Sequence, residues 1–214
     1  MEPTRISAIR HGETAWNVDT RLQGHLDIPL NEVGLRQAQH LAQTLVQRET
    51  IDAIYASDLS RANSTAQAIA QAMGQSVTVH AGLRERHFGA FQGRTYAQIE
   101  TELPEHAWHW RKRTPDWAPP GGGESLIVLR ERVIQTVEAL AAAHAGQHIV
   151  MVAHGGVLDI LYRAAARLDL QAPRTWALTN TAVNRLLWTP QGLSLVGWGD
   201  TSHLDAVAKD ESSL

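Results

Sequence analysis

The chain has 214 residues, 43% hydrophobic and 19% charged, a balance that excludes extended disorder and can bury one sizeable core. A formal charge of −3, with no long run of Lys or Arg, excludes bulk attraction to nucleic acid or an anionic membrane. There is no cysteine, which excludes disulfides, thiolate nucleophiles and cysteine-type zinc sites.

Met1 to Arg5 lead straight into a strand-like run with no apolar leader, and no segment reaches membrane-spanning length. Cytoplasmic placement is therefore expected. The run Ile6 to Ile9 predicts a strand buried on both faces, and it delivers Arg10-His11-Gly12. Ala38, Leu41, Ala42, Leu45 and Val46 recur at helical spacing, with Asn31 as N-cap. Ile51 to Ala56 predicts a second strand that ends in Ser57-Asp58. A second helical stripe follows at Ala62, Thr65, Ala66, Ile69, Ala70 and Met73, closed by Gly74.

Residues 86 to 123 break the alternation. They hold Trp108, Trp110, Trp117 and the run Pro119-Pro120-Gly121-Gly122-Gly123, and they predict an inserted helical lobe or lid. A third stripe, Leu126, Leu129, Val133, Val137 and Leu140, is expected to end at Gly146. Ile149 to Ala153 predicts a third buried strand, delivering His154-Gly155-Gly156. Val157, Ile160, Leu161, Ala164, Ala165 and Leu168 form the fourth stripe. Val183 to Trp188 and Leu193 to Trp198 predict two strands joined by a turn at Pro190-Gln191-Gly192, and the tail after Asp210 is expected to fray. Strands alternating with helices imply an α/β three-layer sandwich with a mainly parallel central sheet, one domain over residues 1–214 carrying the lobe.

In an open parallel sheet, ligands bind beyond the carboxyl ends of the strands. His11 and His154 each follow a buried strand directly, so both should emerge on that edge, with the glycine after each allowing close approach to a bound group. If Ser57 or Asp58 caps the second helix, Arg61 lies in its first turn, where a cation opposes the helix dipole unless an anion sits nearby. The bland alternative is a surface ion pair with Asp58. With Arg10 beside His11, two guanidinium forks and two imidazoles make a cradle for a tetrahedral phosphate. No His pair at i, i+4 spacing brackets a Glu, so a metalloprotease-type site is not expected and no metal is assigned.

Arg10-His11-Gly12-Glu13-Thr14, with Trp16-Asn17, resembles the signature of the histidine phosphatase superfamily, also called the phosphoglycerate mutase-like superfamily. The resemblance runs on through Arg21-Leu22-Gln23-Gly24, Asp27-Ile28-Pro29-Leu30, Ser57-Asp58-Leu59-Ser60-Arg61-Ala62, Leu83-Arg84-Glu85, Gly123-Glu124-Ser125 and His154-Gly155-Gly156. It implies that His11 is the nucleophile and that a phosphohistidine forms. It implies too that Arg10, Arg61 and His154 hold the phosphoryl oxygens, and that Glu85 is the general acid and base. Asn17, Gly24 and Gly155 are implied to join Arg10, Arg61 and His154 in binding substrate. Glu13 and Thr14 are expected to orient the loop, and Asp159, His87 and the remaining histidines to be surface or packing residues.

The resemblance leaves a phosphomonoester hydrolase and a cofactor-dependent phosphoglycerate mutase as the two activities, with a non-catalytic binding or scaffold module as a third class. Glu85 to Gly93 looks mutase-like, but Tyr96 stands where the mutase pattern has a lysine and Gly156 where it has an asparagine. Hydrolysis therefore leads, and the complete set Arg10, His11, Arg61, Glu85 and His154 speaks against a dead enzyme. The expected partner is a small phosphorylated substrate, with no nucleic acid and no membrane, and a homodimer is left open. No cofactor is expected unless the mutase reading holds, when 2,3-bisphosphoglycerate would be required. Arg111, Lys112 and Arg113 could serve a second anionic group on the substrate.

Overall fold

The computed structural model describes residues 2–204, so the expected fraying after Asp210 lies outside the described residues. The chain order is β1 (Thr4–Arg10), α1 (Ala15–Val18), α2 (Glu32–Arg48), β2 (Ala53–Ala56), α3 (Ser60–Met73), β3 (Val77–Val79), α4 (Tyr96–Glu102), α5 (Pro104–Arg111), α6 (Leu126–Ala142), β4 (His148–Ala153), α7 (Gly155–Ala166), β5 (Val183–Thr189) and β6 (Gly192–Asp200). The strands form one sheet in the order β3-β2-β4-β1-β5-β6. The first four are parallel, whereas β5 and β6 run antiparallel and close one edge.

The continuous apolar runs explain the layering. All six residues of β4 are buried, as a strand covered on both faces requires. Ile149, Met151 and Ala153 join Leu129, Val133 and Val137 of α6 and Val157 and Leu161 of α7 in one core. Val150 and Val152 point the other way, into a core with Leu41 and Leu45 of α2 and Ala66 and Ile69 of α3. This is the expected three-layer sandwich. Within the stretch 86–123, Phe88, Phe91, Ile99 and Ala107 form a third, separate cluster with Trp110 and Trp117 packed on it, while Trp108 lies exposed.

Several expectations are corrected. The second strand starts at Ala53 rather than Ile51: the chain bends at Asp52, whose amide donates to the His148 carbonyl at 2.8 Å and whose carboxylate accepts from the His148 amide at 2.7 Å. Helix α6 stops at Ala142, and Gly146 lies in the turn beyond it. Helix α7 stops at Ala166 with Arg167 in the left-handed region, which leaves Leu168 exposed, and Val46 is likewise exposed on α2. The three-residue β3 was not anticipated; it is too short and too exposed to show an apolar run. Among the described residues, no helix is long and apolar enough to cross a membrane.

Candidate active site

β1 and β4 are neighbours, paired in register as far as Arg10 and Ala153. His11 and His154 are therefore the first residues past the same edge, and the His11 amide still donates to the Ala153 carbonyl at 3.0 Å. Their ring centroids lie 5.2 Å apart, and both side chains are buried. His11 Nδ1 lies 2.7 Å from the carbonyl of Gly12, so Nδ1 carries the proton and Nε2 keeps its lone pair. Burial, then Arg10 and Arg61, push His11 well below the usual imidazole range. The same happens to His154, through burial, then Arg61, His11 and Arg10. Both imidazoles are neutral at neutral pH, which His11 needs if Nε2 is to attack.

Arg61 is not the surface partner of Asp58. Asp58 pairs with Arg84 at 2.5 Å, and Arg61 is fully buried in the first turn of α3. Neither Ser57 nor Asp58 caps that helix; Leu59 is the N-cap residue without a side-chain bond, and Asp27 accepts from the Ser60 amide at 2.7 Å. The two terminal nitrogens of Arg61 donate to the carbonyls of Leu26 and Gly24 at 2.9 and 2.8 Å, and burial lowers its pKa to about 10. Arg10 is fixed through the Leu178 carbonyl, and burial lowers its pKa as well. Arg10 Nε, Arg61 Nε and both ring nitrogens of His154 are buried polar atoms without a protein partner among the described residues. Buried donors are nearly always satisfied, so such a cluster fits a tetrahedral oxyanion.

Glu85 pairs with neither Arg84 nor Arg86. Its carboxylate accepts from the Gly156 amide at 3.0 and 3.1 Å and from the Arg86 amide at 2.7 Å. Asn17 lines the cavity, with Oδ1 accepting from Thr14 and Asn180. Thr14 caps α1, and Glu13 accepts from Asn31 at 2.8 Å, so both hold the loop as expected. Gly24 enters through its carbonyl, which seats Arg61. The glycine at 12 is required by α2, since a Cβ there would lie 2.5 Å from the Gly34 carbonyl, whereas one on Gly155, which lines the cavity, would meet nothing nearer than 3.8 Å.

A cavity of about 830 Å³ opens onto Arg10, Asn17, Glu85, Gly155 and Gly156, while His11, Arg61 and His154 are buried more deeply and do not line it. Its walls carry Trp16, Trp110 and Trp117 and the guanidinium groups of Arg21, Arg86, Arg111, Arg113 and Arg174. Of the anticipated trio, Arg111 and Arg113 therefore face the cavity and Lys112 does not. Arg86 stacks over Trp110, and burial lowers its pKa to about 10. Asp159 is corrected from a surface or packing residue to a buried cavity residue, accepting from Arg113 at 2.8 Å and Arg163 at 2.9 Å. Its i, i+4 spacing with Arg163 was the available signal. Also missed was the Leu178–Thr181 segment, where Asn180 donates to the His11 carbonyl at 2.8 Å and Thr181 donates to that of Arg10. Nothing in its composition marks it.

The two neutral histidines predict a pH-dependent stability. Their folded pKa values lie below the unfolded 6.5, so the unfolded chain binds more protons and stability must fall as pH drops below 6.5. Each histidine should add up to about 1.4 kcal/mol per pH unit until its folded pKa is reached. Urea midpoints between pH 7 and 5 check this; a flat profile there contradicts neutral burial, and H154Q should make the profile shallower.

The model of the histidine phosphatase superfamily (branch 1) matches residues 6–201. Phosphoglycerate mutase-like protein 4 of Arabidopsis thaliana is 40% identical over 96% of this chain and 89% of its own. A metal-independent phosphoserine phosphatase of the same plant is 37% identical over 96% and 85%. The solved structure of a mycobacterial glucosyl-3-phosphoglycerate phosphatase superposes with a TM-score of 0.81 at 32% identity, covering 94% of this chain and all of that one.

Proposed function

Because the chain belongs to the histidine phosphatase superfamily (branch 1), we propose that it hydrolyses phosphomonoesters through a phosphohistidine on His11. The observation that carries this is the tautomer: Nδ1–H is committed to the Gly12 carbonyl, and Nε2 is left as a neutral nucleophile among buried guanidinium and imidazole donors. His11 Nε2 attacks phosphorus as the ester P–O bond breaks, and Glu85 delivers a proton to the departing oxygen. Water then attacks the phosphohistidine, Glu85 takes its proton, and the N–P bond breaks to release phosphate and free His11. Arg10, Arg61 and His154 hold the non-bridging oxygens throughout, so catalysis rests on positioning and electrostatics. None of these steps calls on a metal, and the 37% identical relative is named metal-independent.

The arginines lining the cavity support a small substrate whose leaving group carries a second negative charge. The relatives named for phosphoserine and glucosyl-3-phosphoglycerate act on esters of that class. Mutase activity is the second reading, favoured by the relative named mutase-like. Water is preferred as acceptor because Tyr96 and Gly156 supply no cation or amide side chain for a retained bisphosphate. Cytoplasmic placement belongs to the same reading and is testable by cell fractionation, and a homodimer is testable by light scattering.

Purified protein is expected to release inorganic phosphate from p-nitrophenyl phosphate without added bisphosphoglycerate. EDTA should leave the rate unchanged, and vanadate, which can adopt five-coordinate geometry, should inhibit. Loss of activity on chelation, restored by a divalent cation, overturns the mechanism. Bisphosphate-stimulated interconversion of 2- and 3-phosphoglycerate faster than phosphate release would move the chain to the mutase reading.

A further inference from the structure

Gly156 sits in the first turn of α7, and its amide reaches both oxygens of Glu85, at 3.0 and 3.1 Å. A Cβ at this position would lie 2.2 Å from Glu85 Oε1 and 3.3 Å from its Cδ, whereas one on Gly155 would meet nothing nearer than 3.8 Å. Gly156 lies in a right-handed helix, so the need for glycine is one of space, not of backbone conformation. Glu85 cannot retreat as a whole, because its carbonyl accepts from His25 at 2.8 Å and Arg132 at 3.3 Å. Its carboxylate, held by the Gly156 amide and by the Arg86 amide at 2.7 Å, is the part that can swing.

Resting on the reading of Glu85 as general acid and base, we propose that Gly156 is a positioning residue for that carboxylate. Its amide holds the group, and its missing side chain leaves the volume the group occupies. In this site a methyl group at 156 displaces the Glu85 carboxylate from its place beside the departing oxygen and the incoming water. Arg10, Arg61 and His11 come from other segments, and the His154 ring stands ahead of the helix as its N-cap residue, so the cradle stays intact.

Gly156→Ala tests this, because alanine is the better helix former and should not lower the thermal midpoint. Leaving groups separate the roles: p-nitrophenolate departs unaided, whereas the alkoxide of glycerol 3-phosphate needs a proton. With glycerol 3-phosphate the first turnover should slow about a hundredfold or more. With p-nitrophenyl phosphate a burst of one nitrophenolate per site should precede a slow steady state, since water attack lacks its base. Vanadate affinity should be unchanged, and the double variant with Glu85→Gln should lose no more than Glu85→Gln alone. Wild-type turnover on both substrates, equal losses without a burst, or additive losses would each overturn the proposal. If Glu85→Gln itself shows no dependence on leaving group, the reading of Glu85 falls and the proposal with it. If Glu85→Gln shows the pattern and Gly156→Ala does not, the proposal alone falls.

Discussion

Alanine at position 11 is expected to lower kcat/KM by about four orders of magnitude, or about 5.5 kcal/mol of barrier, while the protein stays folded. The size follows from the site: His11 alone, among the described residues of the cradle, has its tautomer fixed by a carbonyl. His154 has no partner fixing its tautomer among the described residues and is fully buried. The fold should survive because His11 lies beyond the last paired residue of β1 and outside both cores. The loss should be the same for aryl and alkyl phosphates, since bond formation to phosphorus fails before the leaving group matters. Acid-quenched wild-type protein turned over on labelled substrate should carry phosphate on His11, and the variant none. Turnover within about tenfold of wild type would remove the nucleophilic role.

Arg61→Met should cost about three orders of magnitude in kcat/KM, or about 4 kcal/mol, and unlike the first change it should also destabilise the fold. The carbonyl of Gly24 loses its donor in a buried place, which costs about 1–3 kcal/mol, and the part-buried carbonyl of Leu26 loses its donor as well. Arg61→Lys should rescue little, because a point charge cannot serve two carbonyls and a phosphoryl oxygen together. The substitution carries a further signature. Arg61 is one of the charges that depress His11 and His154, so its removal must raise both pKa values. The acid limb of kcat/KM should then move to higher pH. Inhibition by vanadate, urea midpoints and the pH profile read the three effects separately. An Arg61→Lys enzyme with near-normal vanadate affinity would show that charge alone suffices.

What could be read in the sequence followed from local chemistry. Ile6–Ile9 and Ile149–Ala153 announce strands because both faces are covered, which leaves no polar alternation to confuse the pattern. His11 and His154 were legible because strand ends define an edge, and Arg61 because a cation in a first turn invites an anion. The illegible parts are long-range hydrogen bonds to backbone carbonyls. Asn180 bracing His11, and Asp27 capping α3, depend on which loops meet, and no periodicity encodes that. Asp159 reads as an ordinary helix acid in the sequence, and only the fold brings Arg113, 46 residues away, onto it.

The brace supplied by Asn180 spans 169 residues of chain, and the Arg10 contact with Leu178 spans 168. Contacts of such separation close late, because the loop entropy must be met before they give anything back. A ribosome-bound chain that has already emitted both histidines therefore still lacks the segment that holds the nucleophile in place. Regain of turnover during refolding should lag behind regain of helical signal, and the enzyme should stay silent through most of its own synthesis.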